Sequence, residues 1–195
     1  MKRQEEKYFL THEEVGAVFN HFQAAPTYPV RQINSVYFDT HGFDSFADSE
    51  EGVVPRSKYR YRWYGEANKI SLSGALEIKI TREHHREKTS RNITLSSTAD
   101  LALSFRQLSP LVLTPICQVS YRRAYFENAS GLRFTFDFDL LASLVDGATT
   151  MKIPKTVLEI KYSRDVPDAE YSSLLGDRRT RFSKYNEAVQ TLRLL

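Results

Sequence analysis

Lys58, Arg60 and Arg62 occupy every second position of one segment, and the same spacing recurs in Glu77 with Lys79, in Arg133, Thr135, Asp137 and Asp139, and in Glu159 with Lys161. In a β-strand this period sends the charged groups to one face and the intervening residues to the other. The intervening residues are Tyr59, Tyr61 and Trp63; Leu76, Ile78 and Ile80; Leu132, Phe134, Phe136, Phe138 and Leu140; and Leu158, Ile160 and Tyr162. Arg3, Glu5 and Lys7 alternate in the same sense with Gln4, Glu6 and Tyr8. Strand by strand, an antiparallel sheet with its charged face in water explains the pattern. Taken together the strands argue for more, because a solvated face normally includes Ser, Thr, Gln and Asn, and these slots are nearly all ionic. If the faces converge, they gather Arg3, Lys7, Lys58, Arg60, Arg62, Lys79, Arg123, Arg133, Lys161 and Lys184 beside Glu5, Glu77, Asp137 and Glu159.

Bases two positions apart on one strand face are separated by roughly 7 Å and, at an effective dielectric near 20, repel by about 2 kcal/mol per pair. Inside an enclosed channel that repulsion persists unless carboxylates or a bound anion offset it, so a polyanion is expected. Arg forks onto phosphate oxygens while Lys acts as a point charge, and the mixture suits a chain of phosphates better than a flat carboxylate ligand. The carboxylates then have a separate task. Mg²⁺ or Mn²⁺ takes oxygen ligands and retains waters, so Glu159 with Glu77 or Glu5, together with phosphate oxygens, makes a sufficient site. The chain has no Gly-x-x-x-x-Gly-Lys loop, which excludes a P-loop kinase. Its single cysteine, Cys117, lies in an apolar stretch and reads as a buried, inert thiol that agrees with a reducing compartment.

The elements that must position these groups are mostly strands. Besides the alternating segments, Ile33 to Asp39 and Val119 to Glu127 are rich in β-branched and aromatic residues. Thr11 followed by Glu14 reads as a capping box, with Val15, Val18, Phe19 and Phe22 at helical spacing up to Pro26. Ser97 to Leu108 repeats the helix signal before Pro110, a third helix is expected to include Ala169 to Leu175, and a fourth runs from Ser183 or Lys184 to the C-terminus. The charged run His84 to Lys88 reads as an exposed loop between two strands. Seven or eight strands and four helices without βαβ alternation give an α+β class: an antiparallel β-barrel with a few helices packed outside. Tyr59, Tyr61 and Trp63 could stack on nucleotide bases, but their shared face makes them core.

The 195 residues, 41% of them hydrophobic, suit one domain spanning 1–195 with a single core. A net charge of +3 is too mild for a duplex nucleic-acid binder. No apolar run is long enough for a membrane span, and Met1 to Glu6 carry no secretion signal, so a cytoplasmic location is expected.

The ordered motifs resemble a known family. Arg3-x-Glu5-x-Lys7-Tyr8, Val36-Tyr37-Phe38-Asp39-Thr40, Lys58-x-Arg60-x-Arg62 and Leu76-Glu77-Ile78-Lys79 are followed by Tyr121-Arg122-Arg123, Arg133-x-Thr135-x-Asp137, Leu158-Glu159-Ile160-Lys161-Tyr162 and Arg181-Phe182-Ser183-Lys184-Tyr185. This succession is similar to the polyphosphate polymerase domain of the vacuolar transporter chaperone (VTC) family and covers essentially the whole chain. The resemblance implies the triphosphate tunnel metalloenzyme fold, a barrel whose basic lumen binds triphosphate or polyphosphate with a divalent cation (Mn²⁺ or Mg²⁺). It implies transfer of the ATP γ-phosphate to a growing polyphosphate chain. The alternatives are hydrolysis of triphosphate or polyphosphate by the same fold, or binding of polyphosphate without catalysis. By motif, Lys79, Arg123, Arg133, Lys184 and Glu159 would be catalytic. Arg3, Lys7, Lys58, Arg60, Arg62, Lys161 and Arg181 would bind phosphate, and Glu159, Glu77 and Glu5 would serve the metal. Of the adjacent Arg122 and Arg123, only one can be luminal, and the motif selects Arg123.

Overall fold

The computed structural model describes residues 3–67, 69–83, 85–163 and 175–195. Among the described residues there are nine strands: β1 (Arg3–Phe9), β2 (Ala25–Asp39), β3 (Arg56–Tyr64), β4 (Ser73–Thr81), β5 (Arg86–Thr94), β6 (Thr114–Glu127), β7 (Arg133–Ser143), β8 (Thr150–Lys152) and β9 (Val157–Ser163). They form one sheet in the order β1-β9-β7-β6-β2-β3-β4-β5, with β8 on β7. The registered pairs β1/β9, β2/β3, β3/β4, β4/β5, β7/β8 and β7/β9 are all antiparallel. Helices are α1 (His12–His21), α2 (Asp44–Glu51) and α3 (Lys184–Leu192). The architecture is therefore α+β and mostly antiparallel.

The chain forms two compact units, one of residues 1–31, 121–140 and 154–182, the other of residues 32–120, 141–153 and 183–195. In the first unit, Thr11 caps α1 through its side chain, which accepts from the Glu14 amide at 3.2 Å, while the Glu14 carboxylate accepts from the Thr11 amide at 2.8 Å. Val15 and Val18 of α1 and Phe22 just after it pack on Tyr8, Phe134, Phe136, Leu158 and Ile160, the apolar faces of β1, β7 and β9. The turn before β7 is held by Asn128, whose side chain accepts from the Leu132 amide, with Gly131 in the left-handed region at φ 80°.

In the second unit, Tyr59, Tyr61 and Trp63 of β3 pack with Val36, Phe38 and Leu76 beneath Leu95, Leu101, Phe105 and Leu113. These rings are buried, which leaves them no free face for a nucleotide base. The core ring of Tyr61 also dictates a glycine on the neighbouring strand, because a Cβ at Gly74 would lie 2.6 Å from the Tyr61 ring and from the Arg62 carbonyl. Cys117 is fully buried and its thiol is pushed up to about 12 by burial and then by nearby Asp39, so it is not a nucleophile.

Three expectations need correction. The segment expected as a helix from Ser97 to Leu108 is a 3-10 helix at Thr98–Leu103 followed by turns. Its amides bond three residues back, as Ser104 to Leu101 and Leu108 to Phe105 do, because the residues it buries, Leu101 and Phe105, do not continue into a regular stripe: Leu103 is exposed. Arg86 to Lys88 are not loop residues but the start of β5. Asp139 leaves the charged face of β7: its φ of 52° breaks the alternation, and its carboxylate pairs outside with Arg122 at 3.5 Å. The helix expected over Ala169 to Leu175 lies outside the described residues, apart from Leu175.

Candidate functional site

Each unit carries an ionic sheet face built by strand register. In the first, Glu5 stands opposite Lys161, Lys7 opposite Glu159, Arg133 opposite Lys161 and Thr135 opposite Glu159, which puts all of them on the side away from the α1 core. Arg3 stands opposite Ser163. The centre of this face is nearly dry. Asp137 is 0% exposed and grips the Arg123 guanidinium with both oxygens, at 2.5 and 2.7 Å. Glu159 lies 3.8 Å from the same guanidinium and 2.8 Å from the Lys161 ammonium. Burial alone would raise the Glu159 pKa, but Lys161, Arg123 and Lys7 hold it well below the usual carboxylate range, so it is ionised. Burial opposes the Arg123 charge and Asp137 more than restores it. Lys7 donates to the Phe182 carbonyl at 3.1 Å and lies 3.6 Å from Glu5. Arg133 and Arg181 are exposed.

In the second unit, register stacks three rows across β3, β4 and β5: Lys58, Lys79 and Lys88; Arg60, Glu77 and Ser90; Arg62, Ala75 and Asn92. Glu77, 6% exposed, is the carboxylate among these cations. Arg60 reaches it at 2.5 Å, Lys88 at 2.6 Å and Arg62 at 3.7 Å. Burial alone would raise its pKa, yet Arg60, Arg62 and Lys88 hold it at about 2. Lys58 is held by the Ser49 and Ser183 hydroxyls at 2.8 and 2.7 Å and lies 3.4 Å from the Asn186 carbonyl. Ser183 caps α3, and Lys184 is its first residue. Asp39 anchors the neighbouring helices: its carboxylate accepts from the Ser45 and Phe46 amides at the start of α2 and from the Tyr185 hydroxyl of α3 at 2.7 Å.

The structure thus brings Glu5, Lys7, Arg123, Glu159 and Lys161 together in one unit and Arg60, Arg62, Glu77, Lys58 and Lys79 together in the other. Four residues contribute in ways the sequence reading does not show. Lys88 comes from a strand with no apolar alternation. Asp137 is visible in the pattern, but its role as clamp of Arg123 is not. Ser183 and Asn186 reach Lys58 from α3, which only the fold reveals. Among the described residues, no group of three or more His, Cys, Asp or Glu side chains is placed to hold a metal ion. A cleft of about 550 Å³ opens beside Arg62 where the face carries the small residues Ser73, Ala75 and Ser90, with Tyr64 and Asn92 on its walls. No helix among the described residues is long and apolar enough to cross a membrane.

No curated protein matches the chain. Among solved structures, a putative adenylate cyclase from Vibrio parahaemolyticus aligns with a TM-score of 0.56 at 17% identity, covering 97% of this chain and 98% of that one. A putative adenylate cyclase from Bacillus halodurans gives 0.52 at 16% identity over 100% and 93%. A putative adenylyl cyclase from Hippeastrum, reported to have a dominant triphosphatase activity, gives 0.52 at 16% identity over 84% and 80%. At these identities the likeness shows a shared fold and nothing further. The VTC domain family matches residues 2–110 and 111–193, nearly the full length, and so spans every motif that supplies an ionic face: the chain belongs to the VTC domain family.

Proposed function

We propose that the protein binds the phosphate chain of triphosphate or polyphosphate on its ionic sheet faces, acting as one functional domain across residues 1–195, and catalyses metal-dependent phosphoryl transfer. The reaction is polymerisation from the γ-phosphate of ATP. The observation that carries this reading is the row of Lys58, Lys79 and Lys88, directly opposed on adjacent strands. Opposed like charges at about 5 Å repel by about 3 kcal/mol per pair at an effective dielectric near 20, before their ends splay and salt screens them. With Arg60 and Arg62 on the next rows and Glu77 as the carboxylate between them, the face is dense in cations. A polyphosphate chain would bring negative charge along this row and relieve that repulsion.

Phosphoryl transfer asks little covalent chemistry of side chains, so positioning and charge stabilisation suffice. Arg60, Arg62, Lys79 and Lys58 in one unit, and Lys7, Arg123, Arg133 and Lys161 in the other, would hold phosphate oxygens, with Lys184, Arg181 and Arg3 as further cations. Oxygen donors suit a hard cation: Glu159 is ionised and Glu5 shares its face, so these two carboxylates would hold Mn²⁺ or Mg²⁺ with phosphate oxygens completing the shell, the Lys161 ammonium turning from Glu159 to phosphate. The ion would offset charge on the transferring phosphoryl group. Glu77, the carboxylate facing Arg60, Arg62 and Lys88 on the β3–β5 face, we assign instead as the internal counter-charge of that face. The cleft beside Arg62 has room for a nucleoside, which favours ATP as donor.

Incubation of pure protein with γ-labelled ATP and Mn²⁺ tests the reading. Labelled chains longer than triphosphate are expected. Release of phosphate alone would replace polymerisation with hydrolysis, and tight polyphosphate binding without turnover would leave a binding module.

A further inference from the structure

Among the described residues, a single buried side-chain polar atom lacks a hydrogen-bond partner in the protein: the hydroxyl of Thr135. The residue is 6% exposed and sits in β7 with Asp137 two positions on, on the same face, and Glu159 directly opposite on β9. The groups around it are committed to each other. Asp137 takes Arg123 with both oxygens, and Glu159 takes Lys161 at 2.8 Å. A hydroxyl can donate once and accept twice, and leaving it unmet away from water is costly. Apolar residues of the same shape were open to this position, since a threonine and a valine differ only by the hydroxyl. A hydroxyl kept without a protein partner, in the middle of the ionic face, is therefore matched to something that binds there.

Resting on the reading of that face as a phosphate site, we infer that Thr135 is a ligand-positioning residue whose hydroxyl donates a hydrogen bond to a phosphoryl oxygen of the bound chain. The acceptor sits beside Arg123 and Glu159, so the contact fixes where along the chain a phosphoryl group stops relative to those two side chains. A short donor from the strand itself discriminates geometry where a flexible ammonium does not.

The test compares wild type, Thr135→Val and Thr135→Ser, using tripolyphosphate as the probe in titration calorimetry, in EDTA and in Mn²⁺, alongside melting curves of the unliganded proteins. The unliganded Thr135→Val variant should melt at or above the wild-type temperature, because it removes an unmet hydroxyl. Its tripolyphosphate affinity should fall about tenfold, 1.4 kcal/mol, in both buffers, and Thr135→Ser should bind within threefold of wild type. Equal binding by the valine variant overturns the inference. A valine variant that melts several degrees lower also overturns it, since the hydroxyl then has a structural partner, and so does a loss confined to Mn²⁺, which makes the group serve the metal. Failure of wild type itself to bind tripolyphosphate is a different result and removes the phosphate reading as a whole.

Discussion

Replacing Glu77 by Gln separates two roles for this carboxylate with effects of opposite sign. Its pKa of about 2 against an ordinary 4.5 corresponds to about 3 kcal/mol of favourable interaction with Arg60, Arg62 and Lys88 at neutral pH. The variant keeps the side-chain shape but loses this, so its Tm should fall by about 6–12 °C for a chain of this size. The folded pKa is depressed, so the wild-type advantage is present above pH 4.5 and disappears as pH falls towards 2. The two melting temperatures should converge over that window. Ligand binding should move the other way. Removing a negative charge roughly 7 Å from a bound phosphate relieves about 2 kcal/mol of repulsion at an effective dielectric near 20. Tripolyphosphate should then bind at least tenfold tighter in EDTA, and its stabilising effect in calorimetry should exceed that on wild type. Weaker binding in Mn²⁺ with unchanged binding in EDTA would make Glu77 a metal ligand and refute the counter-charge assignment. An unchanged Tm would refute the electrostatic reasoning behind it.

Other perturbations reach the remaining parts of the account. Asp137→Asn leaves the deeply buried Arg123 guanidinium without its countercharge and should cost about 3–5 kcal/mol, read as a drop in thermal midpoint of about 6–20 °C. Glu159→Gln should abolish metal-dependent turnover of ATP while tripolyphosphate still binds in EDTA, measured by product analysis and calorimetry on one preparation. Ala75→Trp, which fills the cleft beside Arg62, should weaken ATP at least tenfold while inorganic tripolyphosphate keeps its affinity; equal losses for both would remove the nucleoside from that cleft. Arg133→Ala, at an exposed position, should leave the melting curve within a degree or two and lower tripolyphosphate affinity several-fold at low salt.

Period-two alternation made β3, β4, β7 and β9 readable because each has one face on a core and one charged face, and the ordered motifs carried the fold and family. The features that stayed hidden have physical causes. β5, Arg-Glu-Lys-Thr-Ser-Arg-Asn-Ile-Thr, ends the strand order and buries almost nothing, so it has no apolar rhythm, and its charges suit a sheet edge that must not recruit another strand. Lys88 went unrecognised with it. Asp139 fits the alternation in sequence and departs from it only through a left-handed backbone angle that side-chain type does not announce. The stretch after Ser97 carries a capping signal and leucines, but it is short and packs through Leu101 and Phe105, so tertiary contact and not helical periodicity sets its form. Contacts such as Lys58 with Ser183, 125 positions apart, arise from tertiary structure alone.

The claim beneath all of this is that the ionic faces are built to receive a chain of phosphates. A melting curve of wild-type protein with and without tripolyphosphate addresses it directly. At about 100 times its dissociation constant the ligand contributes roughly 2.7 kcal/mol, and the midpoint should rise by about 5–11 °C, with the rise shrinking as salt is added. A midpoint that does not move at millimolar tripolyphosphate, in EDTA or in Mn²⁺, would contradict the account.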